Sequence, residues 1–227
     1  MSVKTQFSIN SINYNEYNFI QNMVIKNILD KTTSKPISIL DLGCGTGKLC
    51  NSIEWPFDDF YAVDFSEEML LIHPRSEGVK CITGDFNDSL LFDKLSQFKI
   101  DRIFSTSALQ WATDLDASFR YIKNLNAPIS FAIFTSNTFK AVFDTANIPP
   151  LLRTVDEVTF LASKYFDAKY ETIKYKLSFN NTLDIFRYIK KSGVSGARNV
   201  LNHKRMKDLI NNYPTDYLEF EVLFIIE

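Results

Sequence analysis

The sequence predicts an α/β fold, a mostly parallel sheet with helices on both faces, and three observations carry the prediction. Ile37–Leu42 is an apolar run with β-branched isoleucines that holds Asp41 near its end and stops at Gly43, Gly45 and Gly47 on alternate positions. Phe60–Asp64 and Cys81–Asp85 are two further short runs, each closed by an acid. Helix-like segments stand between and after them. Apolar runs of this length suit strands buried on both faces of a parallel sheet. Such open sheets bind ligands outside the carboxyl ends of their strands, so the glycines and the three acids share one edge.

The remaining elements follow in order. Tyr14, Tyr17, Ile20, Gln21, Val24, Ile25, Ile28 and Leu29 recur at three- and four-residue steps, which describes an amphipathic helix within residues 7–30. Ser66 followed by Glu67 and Glu68 reads as a capped helix start. A helix is expected over Ser89–Phe98, a strand over Ile100–Ser105, a helix over Asp114–Leu125 and a strand over Ile129–Phe134. Thr138–Ala146 and Val155–Tyr165 look helical, with Pro149 and Pro150 breaking the chain between them. Lys169–Phe179 alternates as a strand should, Thr182–Lys191 and Lys204–Asn212 are amphipathic, and Leu218–Ile226 is a final strand.

Composition narrows the function. With 227 residues and 45% hydrophobic content, one domain with a sizeable core is expected. A net charge of −2 advertises no nucleic-acid partner for the chain as a whole. Cys44, Cys50 and Cys81 are odd in number and lack metal-type spacing, which fits a reducing cytoplasm and no metal site. No apolar run approaches the roughly 18 residues of a membrane span, and Met1–Phe19 lacks the apolar block of a signal peptide. A cytoplasmic protein without a membrane partner is expected.

The glycine spacing separates three kinds of nucleotide site. A P-loop needs G-x-x-x-x-G-K-[S/T], but Leu49 follows Lys48 and the earlier glycine is missing. A dinucleotide turn, G-x-G-x-x-G, would place its third glycine at Lys48. What remains, D-x-G-x-G-x-G over Asp41–Gly47, resembles the first motif of the class I S-adenosylmethionine (SAM)-dependent methyltransferases. Asp64, about 20 residues past the glycines, sits where a carboxylate accepts from two ribose hydroxyls. The resemblance implies that Asp85 takes the adenine amino group, with Phe86 beside the ring. It also implies cofactor contacts from Asp41, Gly43, Cys44, Gly45 and Gly47, from Phe65 and Met69 after the second strand, and from Ser105 at the end of the fourth. The leading helix would be a lid with Tyr14, Tyr17 and Gln21 on its inner face. After Ser105 there is neither an Asn/Asp-Pro-Pro-aromatic sequence nor a Pro-Cys pair, which argues against methylation of nucleic-acid bases.

Nearly the whole chain is similar to the malonyl-[acyl-carrier-protein] O-methyltransferases that begin pimeloyl synthesis for biotin. The likeness rests on Phe7, Tyr14, Tyr17 and Gln21, on Leu40–Gly47, Asp64–Met69 and Gly84–Phe86, on Ser107–Trp111, on Phe134, Thr138 and Phe139, and on Ile189–Arg198. Asp216–Phe220 stands where that family has a Pro-Leu-Thr-like segment. The resemblance implies the class I methyltransferase (Rossmann-like) fold: seven strands, mostly parallel, helices on both faces, an antiparallel edge strand and a helical cap. Residues 1–30 would be the lid, 37–135 the SAM-binding core, and 136–227 a C-terminal half with cap helices and the last two strands.

The chemistry so implied is esterification of the free malonyl carboxylate. That group is ionised and nucleophilic at neutral pH, so no general base and no certain catalytic residue is expected. Tyr14, Tyr17 and Trp111 would shape the substrate pocket, although core packing is the plain reading of a tryptophan near a helix start. Arg198 would hold the anion or touch the carrier protein. Between residues 185 and 207 stand Arg187, Lys190, Lys191, Arg198, Lys204, Arg205 and Lys207 with no acid, a local charge of +7 suited to an acidic acyl-carrier protein. Two other readings stay open: methylation of a free small carboxylic acid, and a SAM-binding module without turnover.

Overall fold

The computed structural model describes residues 19–191 and 203–227. Strands β1 (Ser38–Leu42), β2 (Asp59–Asp64), β3 (Val79–Thr83), β4 (Arg102–Thr106), β5 (Ile129–Phe134), β6 (Lys169–Ser178) and β7 (Tyr217–Ile226) form one sheet in the order β3-β2-β1-β4-β5-β7-β6. The first five are parallel, and β7 runs antiparallel to both β5 and β6. This is the class I methyltransferase arrangement expected from the sequence. The helices are α1 (Phe19–Lys31), α2 (Lys48–Ser52), α3 (Glu67–Ile72), α4 (Ser89–Leu95), α5 (Leu115–Lys123), α6 (Lys140–Ala146), α7 (Val155–Ala162), α8 (Thr182–Lys191) and α9 (His203–Asn212).

Every residue of β1 and β5 is buried, as fits strands covered on both faces. Alternate residues serve opposite cores. On one face Ile39, Phe60, Phe104 and Phe224 meet Ile20, Val24 and Ile28 of α1. On the other, Leu40, Val63, Ile103 and Phe131 meet residues from α4, α5 and α7. There Phe119 stacks on Phe131 at 6.1 Å, and Phe166 stands edge-on to both at 5.6 and 5.8 Å. At the outer edge, the predominantly exposed strand β6 carries Lys169, Lys174 and Lys176, charges that discourage further strand pairing.

The register brings the functional edge together. Leu42 pairs with Val63, Asp41 with Phe104 and Asp64 with Thr83, so the loops after β1 to β4 open on one side. The far end of the sheet is closed by Arg102, whose Nη1 donates to Ile129 O, Ser130 Oγ and Glu227 O at 3.0 Å each.

Departures from the expected boundaries have local causes. The helix expected from Thr138 starts at Lys140, because the Thr138 hydroxyl bonds the β7 backbone at Glu221 and Phe139 takes a left-handed φ of 60°. The helix expected to reach Phe98 ends at Leu95, and Phe98 stacks instead on Tyr61 at 4.4 Å. Trp111 lies on a 3₁₀ turn, Leu109–Trp111, in which Leu109 is the fully buried residue.

Candidate active site

The glycine loop is shaped by two different constraints. Gly43 has φ 76°, and a Cβ there would lie 2.2 Å from Ala108 Cβ, so close approach of the β1 and β4 loops requires its bare backbone. Gly45 has φ 54°, and a Cβ there would meet no atom within 4 Å. It faces open space.

That space is a cleft open to solvent, lined by the loops after four strands and by helix residues. The β2 and β3 loops contribute Asp64, Phe65, Met69 and Phe86, the β1 loop Gly43, Cys44, Gly45 and Thr46, and the β4 loop Thr106, Ser107, Ala108 and Trp111. Helices α1 and α2 add Gln21, Ile25, Lys48 and Leu49.

Asp64 is nearly buried and tied to both neighbouring loops: Oδ2 accepts from Gly45 N and Oδ1 from Ser66 N, each at 2.9 Å. Burial raises its pKa, opposed by the backbone N–H groups of Ser66 and Gly45. Asp41, near the end of β1, has no exposed surface, and neither carboxyl oxygen has a partner among the described residues. Burial first, then the nearby Asp64 charge, push it up to about 8, so it is protonated at neutral pH. The Cys44 thiol is held neutral by burial and by both acids, which removes it as a nucleophile.

The structure therefore assembles most of the expected site. Gln21, Gly43, Cys44, Gly45, Asp64, Phe65, Met69, Phe86 and Trp111 all line the cavity. Four others stand outside its wall. Asp41 is fully buried within β1. Gly47 begins α2 with φ 82° and leaves room for His73 and Pro74. Ser105 is buried and donates to Leu42 O at 2.8 Å. Asp85 is exposed, and its Oδ1 accepts from both nitrogens of Asn87, at 2.9 and 2.7 Å. Tyr14, Tyr17 and Arg198 lie outside the described residues.

Sequence reasoning missed Ile25, Thr46, Lys48, Leu49, Thr106, Ser107 and Ala108. Thr46 and Lys48 flank the last glycine and were open to inference from that motif. Ser107 belongs to the Ser107–Trp111 stretch that carries the family likeness; it takes φ 62°, and its hydroxyl is buried in the wall with no partner among the described residues. Ile25 has the pattern of a core residue, and only the placement of α1 puts it at the cavity.

The methyltransferase domain family matches residues 33–183, a span holding the glycine loop and all but the α1 part of the cavity wall. The chain belongs to the methyltransferase family. It is a class I enzyme whose cofactor is SAM. The malonyl-[acyl-carrier protein] O-methyltransferase of Haemophilus influenzae is 30% identical over 192 residues, covering 80% of this chain and 69% of that protein. The malonyl-[acyl-carrier protein] O-methyltransferase 2 of Coxiella burnetii is 29% identical over 209 residues, covering 86% and 81%. Among solved structures, the YcgJ protein of Bacillus subtilis aligns with TM-score 0.61 at 13% identity over 89% of this methyltransferase and 97% of that chain. A phosphoethanolamine N-methyltransferase 2 of Haemonchus contortus, solved with phosphomonomethylethanolamine and S-adenosylhomocysteine, aligns with TM-score 0.58 at 14% identity over 100% and 61%. These two likenesses are of fold. The cavity suits the cofactor on its own terms, with open space at Gly45, a carboxylate in the wall at Asp64, and a buried acceptor, Gln21 Oε1, that has no partner among the described residues.

Proposed function

We propose that this methyltransferase esterifies the free carboxylate of a malonyl thioester carried on an acyl-carrier protein, at the start of pimeloyl and biotin synthesis. The observation that carries the reading is the 30% identity to the Haemophilus protein of that name over 80% of the chain. When bound, the cofactor supplies an electrophilic methyl group on a sulfonium. The chain's own part is to bind, orient and exclude water.

In this reading Asp64 accepts from the ribose hydroxyls while its bonds to Gly45 and Ser66 hold it in place. Phe65, Met69 and Phe86 enclose the adenine, with Asp85 at the rim for its amino group. Gly43, Cys44 and Gly45 lie along the cofactor, Gln21 closes on it from α1, and Asp41, Gly47 and Ser105 shape the loop behind it. Trp111 walls the acyl group. Tyr14, Tyr17 and Arg198 complete the substrate side, with residues 1–30 as lid, 37–135 as cofactor core and 136–227 as the cap-bearing half. The substrate carboxylate arrives ionised, so no side chain need remove a proton.

The carrier protein would dock on the basic segment. Arg187 and Lys190 on α8 and Lys204, Arg205 and Lys207 on α9 are exposed, a supply of positive charge for an acidic partner. Arg187 already pairs with Asp184 at 2.7 Å, and Arg205 donates to Ala146 O at 2.9 Å, so Lys190, Lys204 and Lys207 are the better probes. The free Cys44, Cys50 and Cys81 suit a cytoplasmic setting.

The test is methyl transfer to malonyl-carrier protein, with malonyl-CoA and free malonate as competitors. Reversing the charge of Lys190, Lys204 and Lys207 together is expected to raise KM for the carrier-borne substrate roughly tenfold or more while sparing kcat. An unchanged KM would remove the docking surface. Methylation of free malonate alone would point to a small-acid enzyme, and SAM binding without ester formation to a binding module.

A further inference from the structure

Four non-glycine residues among those described hold a left-handed φ: Ser107, Asn126, Phe139 and Asn147. Asparagine adopts that conformation readily, and Phe139 is fixed by the core, with its ring 5.0 Å from Phe220. Ser107 has neither reason, and of the four it alone lines the cavity. Its backbone is held from both sides. The N–H donates to Ala132 O on β5 at 2.9 Å, and the carbonyl accepts from Gln110 Nε2 at 2.7 Å. The hydroxyl is buried in the wall and has no partner among the described residues. A serine pinned in a conformation that glycine takes freely, with its own polar group left over, has the character of a functional position.

The cavity is also uneven in charge. Its charged side chains among the described residues, Asp64 and Lys48, stand at the end of β2 and the start of α2, whereas the β4 side presents Thr106, Ser107, Ala108 and Trp111. That contrast bears on the transfer. A lone pair of the acceptor carboxylate forms the new oxygen–carbon bond, the carbon–sulfur bond breaks with its pair left on sulfur, and no proton moves. An anion and a sulfonium become a neutral ester and a neutral thioether, so charge fades on the way to the transition state. A neutral hydroxyl donating to one oxygen orients the carboxylate, stabilises that fading charge less than a cation would, and leaves the other oxygen to react.

We propose that Ser107 holds the acceptor, its Oγ–H donating to the carboxylate oxygen that does not receive the methyl group and remaining on that oxygen in the ester. The assignment rests on the carboxyl-methylation reading above. It makes the β4 side of the cavity selective for acceptors that present a carboxylate there.

Methyl transfer by the full chain, on whichever of malonyl-carrier protein and free malonate the wild type esterifies, tests it alongside calorimetry with S-adenosylhomocysteine. Ser107→Gly removes the hydroxyl and suits the left-handed φ, so the ligand-free thermal midpoint should not fall. Ser107→Asn also suits that φ and brings back an N–H donor. Ser107→Gly is expected to lower kcat/KM for the acceptor roughly tenfold or more and to bind S-adenosylhomocysteine within about twofold of wild type, with Ser107→Asn recovering part of the loss. Ser107→Gly with the wild-type kcat/KM, or with its S-adenosylhomocysteine affinity reduced as much as its kcat/KM, would overturn the assignment while carboxyl methylation stands. A wild type that esterifies neither acceptor would overturn the proposed function and this assignment with it.

Discussion

Gly43 and Gly45 differ by two positions and by what surrounds them. Alanine at either must hold a left-handed φ, at about 1–2 kcal/mol. Gly43→Ala in addition drives its methyl to within 2.2 Å of Ala108 Cβ. That variant is expected to lose clearly more thermal stability than Gly45→Ala, whose methyl projects into the cavity and instead obstructs cofactor. Denaturation without ligand and calorimetry with S-adenosylhomocysteine separate the two losses, and equal effects of both substitutions on both measurements would refute the distinction. Asp41 offers a second residue-scale test. Its folded pKa of about 8 exceeds the ordinary 3.8, so between those values the fold keeps a proton that the unfolded chain has released. The contribution is fully present below the lower value and lost as pH rises through the upper one. The slope is at most about 1.4 kcal/mol per pH unit. Asp41→Asn should match wild type near pH 4 and exceed it increasingly toward pH 8 in the ligand-free protein. Parallel stability curves would show that Asp41 is ionised in the fold.

At the scale of elements, β7 carries a buried acid outside the cavity wall. Glu221 is 3% exposed and accepts from Thr135 Oγ1 at 2.7 Å and from Asn137 Nδ2 at 3.0 Å to each oxygen, with Lys174 Nζ 3.7 Å away. These bonds pin the loop after β5 to the antiparallel strand beside it. Glu221→Leu strips a hydroxyl and an amide of their partner, a loss of about 1–3 kcal/mol for each group left unpaired. The urea midpoint is expected to fall accordingly, while Glu221→Gln, which keeps one acceptor oxygen, falls less. A midpoint unchanged by Glu221→Leu would mean that water replaces the carboxylate without cost.

For the whole molecule, the cavity joins loops from four strands to helices α1 and α2, so a ligand held there ties together elements far apart in sequence. S-adenosylhomocysteine at a hundredfold above its Kd should stabilise the full chain by about 2.7 kcal/mol, since it binds the fold and not the open chain. A thermal midpoint indifferent to saturating ligand would contradict the site at its root. The same long-range assembly explains why the site was only partly visible in the sequence. Asp64 and the glycines announce themselves because one loop needs bare backbone and an acid at fixed spacing. Ser107 and Ile25 do not, because their residue types are ordinary and only the folded placement of the loop after β4 and of α1 makes them wall.

Sequence alone determined the parallel core, the acid-ended strands and the methyltransferase family, since burial on both faces and a ligand-hugging turn each demand particular residues in a particular order. Tertiary structure alone decided that Asp41 is fully buried outside the cavity wall, that Trp111 is wall rather than core, and that Lys48 and Gln21 line the same cavity. The reason is physical: a side chain's type is written locally, but its solvent exposure, and so its charge state and its partners, depends on elements that reach it only when the chain has folded.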